Sequence, residues 1–288
     1  MLGRLFSKLL FWRSDKPVVA VIRLKGVIAP ATGGVRKSLN LESLDAQLKK
    51  AFAVSGVKAV ALVINSPGGS PVQSQLIADR VRQLADRDAV PVLAFCEDAA
   101  ASGGYWLACA ADEIYAAPAS VIGSIGVISA GFGFPALLEK MGIERRVYTA
   151  GTSKAMLDPF QPEKEDDVAY LKSLQADLHG QFIDYVKARR GGKLTAADDA
   201  LFNGAFWPGI KAAELGLVDQ IGSLHHVLEQ KFGEDYKLVS IAPKTGLSPL
   251  SALSSSLLSD GASSQAASLP DAMIDAAQDK SWWSRLGL

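Results

Sequence analysis

Ser102 stands in the stretch Glu97-Asp98-Ala99-Ala100-Ala101-Ser102-Gly103-Gly104-Tyr105-Trp106, among residues with almost no side chain. The apolar run 90–96 before it reads as a buried strand, and the alanine-rich run 105–111 after it as a buried helix. A serine where a strand gives way to a helix has two readings. Small neighbours let a substrate backbone come close, and a helix N-terminus stabilises negative charge, so the hydroxyl could be a nucleophile. Serine is equally a preferred helix N-cap. Two other places are rich in glycine without a packing reason, Pro67-Gly68-Gly69 and Gly123-Ser124-Ile125-Gly126. In a parallel sheet, Pro67-Gly68-Gly69 and Ser102 both fall at carboxyl ends of strands, where open α/β sheets hold ligands. Backbone N–H groups there could serve a developing oxyanion. Taken alone, Pro-Gly-Gly is a turn. None of these stretches matches a dinucleotide or phosphate-loop fingerprint.

A nucleophilic serine needs a base. The three histidines, His179, His225 and His226, fall in helical segments without an obvious orienting carboxylate and at no zinc-type spacing. Lysine is the other solution. It must be neutral to accept a proton, so it must be desolvated or lie near positive charge. Lys154, among Gly151, Thr152, Ser153, Ala155, Met156 and Leu157, is the candidate by context. The competing reading is an ordinary surface lysine.

The elements that must position these residues alternate along the chain. Strands are expected over 17–28, 57–64 and 90–96, with amphipathic helices over 40–54 and 71–87 between them, which implies a parallel sheet. Short strands follow at 112–116 and 144–149. Residues 120–128 are an apolar strand or loop broken by glycines, and 134–141 form a short helix. A long helix covers 163–190, with Val168, Leu171, Leu174, Leu178, Phe182 and Tyr185 as its apolar stripe. A last strand covers 236–241.

The chain has 288 residues, 49% of them apolar, enough for a sizeable α/β core. Thirty Lys and Arg balance thirty Asp and Glu, which argues against a general nucleic-acid surface. Cys96 and Cys109 sit in apolar segments and supply neither a disulfide framework nor metal spacing. Three regions are expected. Residues 1–16 are a basic amphipathic segment, 17–243 the principal domain, and 244–288 a Ser/Ala-rich flexible tail ending in the aromatic Trp282-Trp283. With no apolar run long enough to span a bilayer and no signal-peptide pattern, the expected location is peripheral at a membrane or cytoplasmic.

Asn65-Ser66-Pro67-Gly68-Gly69, Ala101-Ser102-Gly103-Gly104-Tyr105, Gly123-Ser124-Ile125-Gly126-Val127 and Gly151-x-x-Lys154 occur in an order and spacing that resemble the signal peptide peptidase A family. The stretch from Lys211 to Gly222 resembles that family's closing signature. The resemblance implies an α/β, Clp/crotonase-like spiral of parallel strands and helices with a helical C-terminal assembly region. It implies a serine–lysine peptidase that degrades apolar peptides, such as signal-peptide remnants, through an acyl-enzyme. Carried over, Ser102 is the nucleophile, Lys154 the general base and Ser124 the residue that orients the lysine. The backbone N–H groups of Gly69 and Gly103 form the oxyanion hole. No metal, nucleotide or organic cofactor is implied. The implied partners are peptide substrates and further copies of the chain in a homo-oligomeric ring with shared sites. The amphipathic segment 1–13 itself offers two readings, contact with a membrane surface or docking on the protein's own body. This chain departs from the family in having Gly204-Ala205-Phe206 before the closing signature, where Gly-Arg-Val is usual, and in lacking an N-terminal membrane span. Two other readings stay open: a crotonase-like acyl-CoA enzyme and a catalytically inactive membrane-associated scaffold.

Overall fold

The computed structural model describes residues 16–31, 38–151, 153–242 and 280–288. The basic amphipathic segment 1–13 and most of the Ser/Ala-rich tail lie outside these described residues.

The first half of the chain is strand–helix–strand–helix–strand: β1 (Val18–Lys25), α1 (Leu41–Phe52), β2 (Val57–Ser66), α2 (Pro71–Asp88) and β3 (Val92–Ala101), then the short α3 (Gly103–Ala108). β1 and β2 are near-continuous β-branched and apolar runs, as strands covered on both faces require. The helices carry their own start signals. Asn40 caps α1 by accepting from the Ser43 amide at 2.9 Å. Ser70 caps α2 from the Gln73 amide at 3.3 Å, with Pro71 at the first helical position. β4 (Glu113–Ala116), β5 (Val121–Gly123), α4 (Pro135–Lys140) and the long α5 (Glu165–Arg190) follow. The chain then forms α6 (Asp198–Leu201), β6 (Phe206–Pro208), α7 (Gly209–Glu214), β7 (Gln220–Ile221), α8 (Leu224–Phe232) and β8 (Lys237–Ser240).

The strands form one sheet in the order β6-β5-β3-β2-β1-β8, with β4 on β3 and β7 on β4. Every pairing is parallel except β5 with β6. β3 is shared along one edge: Leu93–Cys96 pair with β4, and Ala99–Ala101 pair with β5. One face of the sheet is buried under α1, α2, α3 and the C-terminal half of α5, through Leu44, Leu48, Ile77, Leu84, Leu107 and Val186 among others. The other face packs Val19, Val21, Val63, Phe95 and Tyr115 against Val227 and Leu228 of α8. The expected α/β architecture of parallel strands and helices is therefore the observed one.

Three local expectations change. β3 does not stop at Cys96 but runs on to Ala101. Residues 144–149 form no strand and are exposed; among the described residues no strand pairs with them. The apolar stripe of α5 is half covered: Phe182 and Val186 are buried, whereas Leu174, in the half that meets the loop around Leu157 through the Leu157 amide and the Asp167 carboxylate, is 46% exposed.

Candidate active site

Ser102 lies at the turn from β3 into α3 with φ +52° and ψ −122°. Non-glycine residues rarely adopt a positive φ, and such strain persists where the surroundings enforce it. A sharp strand-to-helix turn is also the geometry that lifts a serine hydroxyl off the end of a sheet. The capping reading fails, because the Ser102 side chain makes no capping hydrogen bond. Its carbonyl oxygen instead accepts from the amides of Tyr105 at 2.9 Å and Trp106 at 3.0 Å. Its own amide donates to the Gly123 carbonyl at 2.7 Å. The half-buried hydroxyl is left free of the helix end.

The first glycine motif is pressed against this turn. A Cβ on Gly68 would lie 2.8 Å from both the Gly103 nitrogen and the Ser102 Cβ. A Cβ on Gly104 would come within 2.5 Å of the Ser66 carbonyl oxygen. The two loops meet backbone to backbone, which only residues without side chains allow. Ile28 locks the first loop: its amide donates to the Gly68 carbonyl at 2.8 Å, and its carbonyl accepts from the Ser70 amide at 2.7 Å. Among the described residues the Gly69 amide, between those two bonds, donates to no backbone carbonyl. The Gly103 amide opens α3, where no intrahelical acceptor exists. Both amides belong to the two loops that meet at the Ser102 turn.

Ser124 follows directly on β5. Gly123 pairs with Ala101, so Ser102 and Ser124 are the next residues on adjacent strands. Ser124 also has a positive φ, +54°, and its amide donates to the Ala205 carbonyl at 2.7 Å. The segment 204–206, where the sequence departs from the family pattern, is therefore the brace behind Ser124. His179 of α5 meets the Ile125 carbonyl with Nε2 at 3.1 Å, a structural contact rather than a base beside Ser102.

Lys154 lies elsewhere. It is exposed, on an arm closed at its base by the Phe134 amide donating to the Pro159 carbonyl at 2.6 Å. Phe134 packs on Phe160 with centroids 5.7 Å apart, and Arg145 lies over Phe160 while pairing with Asp158. The expectation that its small and apolar sequence neighbours desolvate Lys154 is not met within one chain. The fold thus gathers Ser102, Ser124, Gly69 and Gly103 at one end of the sheet and leaves Lys154 on the arm. Two further polar residues next to the site, Asn65 and Ser120, are buried; their only sequence signal is the asparagine that opens Asn65-Ser66-Pro67-Gly68-Gly69.

Cys96 and Cys109 offer no rival nucleophile. Both are fully buried, and burial pushes the Cys109 thiol up to about 12 and the Cys96 thiol higher still. Among the described residues no group of three or more His, Cys, Asp or Glu could hold a metal ion.

The model of peptidase family S49 matches residues 85–234, a span that includes Ser102, Ser124 and Lys154. The chain is 48% identical over 279 residues to a Brucella abortus (strain 2308) protein named Na(+)/H(+) antiporter NhaA, covering 96% of this chain and 38% of that one. It is 30% identical to the chloroplastic serine protease SPPA of Arabidopsis thaliana, over 73% of this chain and 31% of that one. With protease 4 of Haemophilus influenzae it shares 31% identity over 74% of this chain and 34% of the other. This chain therefore spans between 31% and 38% of the length of these relatives. A solved structure of a mutant 1510-N membrane-bound stomatin-specific protease covers 79% of the chain at 16% identity with a TM-score of 0.49. On the family match, which takes in the Ser102 turn and more than half of the chain, the chain belongs to peptidase family S49, the signal peptide peptidase A family of serine peptidases.

Proposed function

We propose that this chain hydrolyses peptide bonds with Ser102 as nucleophile and Lys154 as general base. Neutral Lys154 Nζ takes the proton of Ser102 Oγ as Oγ bonds to the scissile carbonyl carbon. The oxyanion so formed accepts from the Gly69 and Gly103 amides. The C–N bond breaks as the lysine ammonium returns its proton to the leaving amine, which leaves an acyl-serine. Water then attacks the ester, Lys154 takes the water's proton, and that proton passes back to Ser102 Oγ as the acid leaves. Ser124 keeps Lys154 oriented by a hydrogen bond. The substrates are extended apolar peptides, such as signal-peptide remnants, which suit a groove lined by Ala, Gly and Ile.

The observation that supports this reading is the Ser102 hydroxyl, uncommitted to the helix end, on a positive-φ turn pressed against the Gly68-Gly69 loop. The exposed lysine follows from assembly: the arm of one copy supplies Lys154 to Ser102 of its neighbour in a ring. The arm is suited to docking, since Met141 is 63% and Tyr148 91% exposed. Contact with a membrane surface, through 1–13, belongs to the same proposal. No described helix is long and apolar enough to cross a membrane.

The test mixes two inactive variants. Ser102→Ala and Lys154→Ala each lose hydrolysis of an apolar fluorogenic peptide. Unfolded and refolded together, they regain part of it, because some sites then combine an intact serine with a neighbour's intact lysine. Full activity in either variant alone contradicts the dyad, and no recovery on mixing contradicts the shared site.

A further inference from the structure

Just before Ser102 the ladder between β2 and β3 breaks. Ile64 pairs with Cys96 and Ser66 with Ala100, so Asn65 alone faces Glu97, Asp98 and Ala99. The opposite edge of β3 breaks at the same place, where pairing with β4 ends at Cys96 and pairing with β5 begins at Ala99. Backbone groups in such a gap lose their ladder partners and need others. Two buried polar side chains supply them. Ser120, 2% exposed, donates from Oγ to the Cys96 carbonyl at 3.0 Å and accepts from the Ala117 amide at 3.0 Å. Asn65, 4% exposed, accepts from the Ala99 amide with Oδ1 at 3.4 Å and donates from Nδ2 to Asp98 Oδ2 at 2.5 Å. Its orientation follows from these partners, because an amide N–H only donates and a carboxylate only accepts.

We infer that Asn65, held by Asp98, is a positioning residue for the nucleophile. The pair fixes where β3 resumes its ladder at Ala99, and only Ala100 and Ala101 separate that anchor from Ser102. The positive φ of Ser102 needs a rigid lead-in, and the bond to the Asp98 carboxylate is charge-assisted. The Asn65 carbonyl also accepts from the Gly26 amide at 2.9 Å, at the start of the turn that brings Ile28 onto the Gly68-Gly69 loop. One residue thereby ties both sides of the oxyanion site to the serine turn. The inference rests on Ser102 being the nucleophile.

The experiment measures the rate at which a fluorophosphonate probe labels Ser102 in the assembled wild type and in Asn65→Leu, Asp98→Ala and Asp98→Asn, with melting temperature and particle size recorded for each. Asn65→Leu keeps the volume and loses both bonds. Asp98 is exposed, so Asp98→Ala stays folded even if Asn65→Leu does not. The side-chain amide oxygen introduced by Asp98→Asn can still accept from Asn65, so that variant is the conservative replacement. The expected result is a labelling rate at saturating probe lowered by about tenfold to a hundredfold in Asp98→Ala and Asn65→Leu. Half-saturation by the probe and particle size stay as in the wild type, and Asp98→Asn recovers most of the rate. Wild-type rates in Asp98→Ala overturn the inference alone. So does a loss that tracks melting or disassembly and is not recovered by Asp98→Asn. A wild type that takes no label on Ser102 overturns the nucleophile reading and this inference with it.

Discussion

Gly69 shows how little freedom the site leaves a single residue. Its φ is +141°, and a Cβ there would stand 1.9 Å from the carbonyl oxygen of Ile28, a residue hydrogen-bonded through both its amide and its carbonyl. Gly56 has φ +72° but nothing within 4 Å of the same position. Gly69→Ala is therefore expected to cost about 3 kcal/mol or more, from backbone strain and forced displacement together. Gly56→Ala is expected to cost about 1 kcal/mol, from strain alone. Urea denaturation of both variants checks the difference. Equal losses would mean that the Ile28 loop yields and does not hold the Gly69 amide in place.

At the scale of elements, the Ser102 turn depends on what holds α3 down. Trp106, 6% exposed, stacks on Phe182 and Tyr185 of α5, with centroids 4.7 and 5.1 Å apart. Phe182→Ala opens a cavity there and is expected to cost about 3–5 kcal/mol, visible as a lower urea midpoint with an unchanged slope. The central elements could be read from the sequence because their signals are local. β1 and β2 are uninterrupted apolar runs, and α1 and α2 carry Asn40 and Ser70 as caps. Ser102, Gly69 and Gly103 could be read for the same reason, as small residues at strand ends. What could not be read is long-range. The polar pair Glu97-Asp98 looks like the end of a strand, yet β3 continues because Asn65 bridges the break from the adjacent strand. Residues 144–149 contain Val147-Tyr148 but pair with no strand among the described residues. Lys154 has neighbours in sequence that do not bury it in the fold.

At the scale of the molecule, the far end of α5 is tied to the closing segment by an internal ion pair. Arg190, 3% exposed, donates to Asp219 Oδ2 at 2.8 Å and to the Gly216 carbonyl at 2.7 and 3.0 Å, while the Ile114 amide donates to the same carboxylate at 2.7 Å. Burial alone would raise the Asp219 carboxyl, but the bonds from Arg190, Lys193 and the Ile114 amide outweigh it and hold the group below the ordinary carboxylate range. A carboxyl lowered on folding adds stability that is fully present above its unfolded value, about 3.9, and is lost as pH falls through its folded value. The wild type is thus expected to lose stability below about pH 4. Asp219→Asn, which leaves the Arg190 charge buried without its counter-ion, is expected to lose about 3–5 kcal/mol at neutral pH and to show a flatter acid limb. Thermal melting from pH 3 to pH 7 compares the two.

Activation of Ser102 as a nucleophile by Lys154 can be read by covalent labelling. The assembled wild type, Ser102→Ala and Lys154→Ala are exposed to a fluorophosphonate probe, and the adduct is located by peptide mass spectrometry. A single adduct on Ser102 in the wild type, and its loss in both variants, is the expected result. An adduct on another residue, or labelling of Ser102 that persists unchanged in Lys154→Ala, would contradict it.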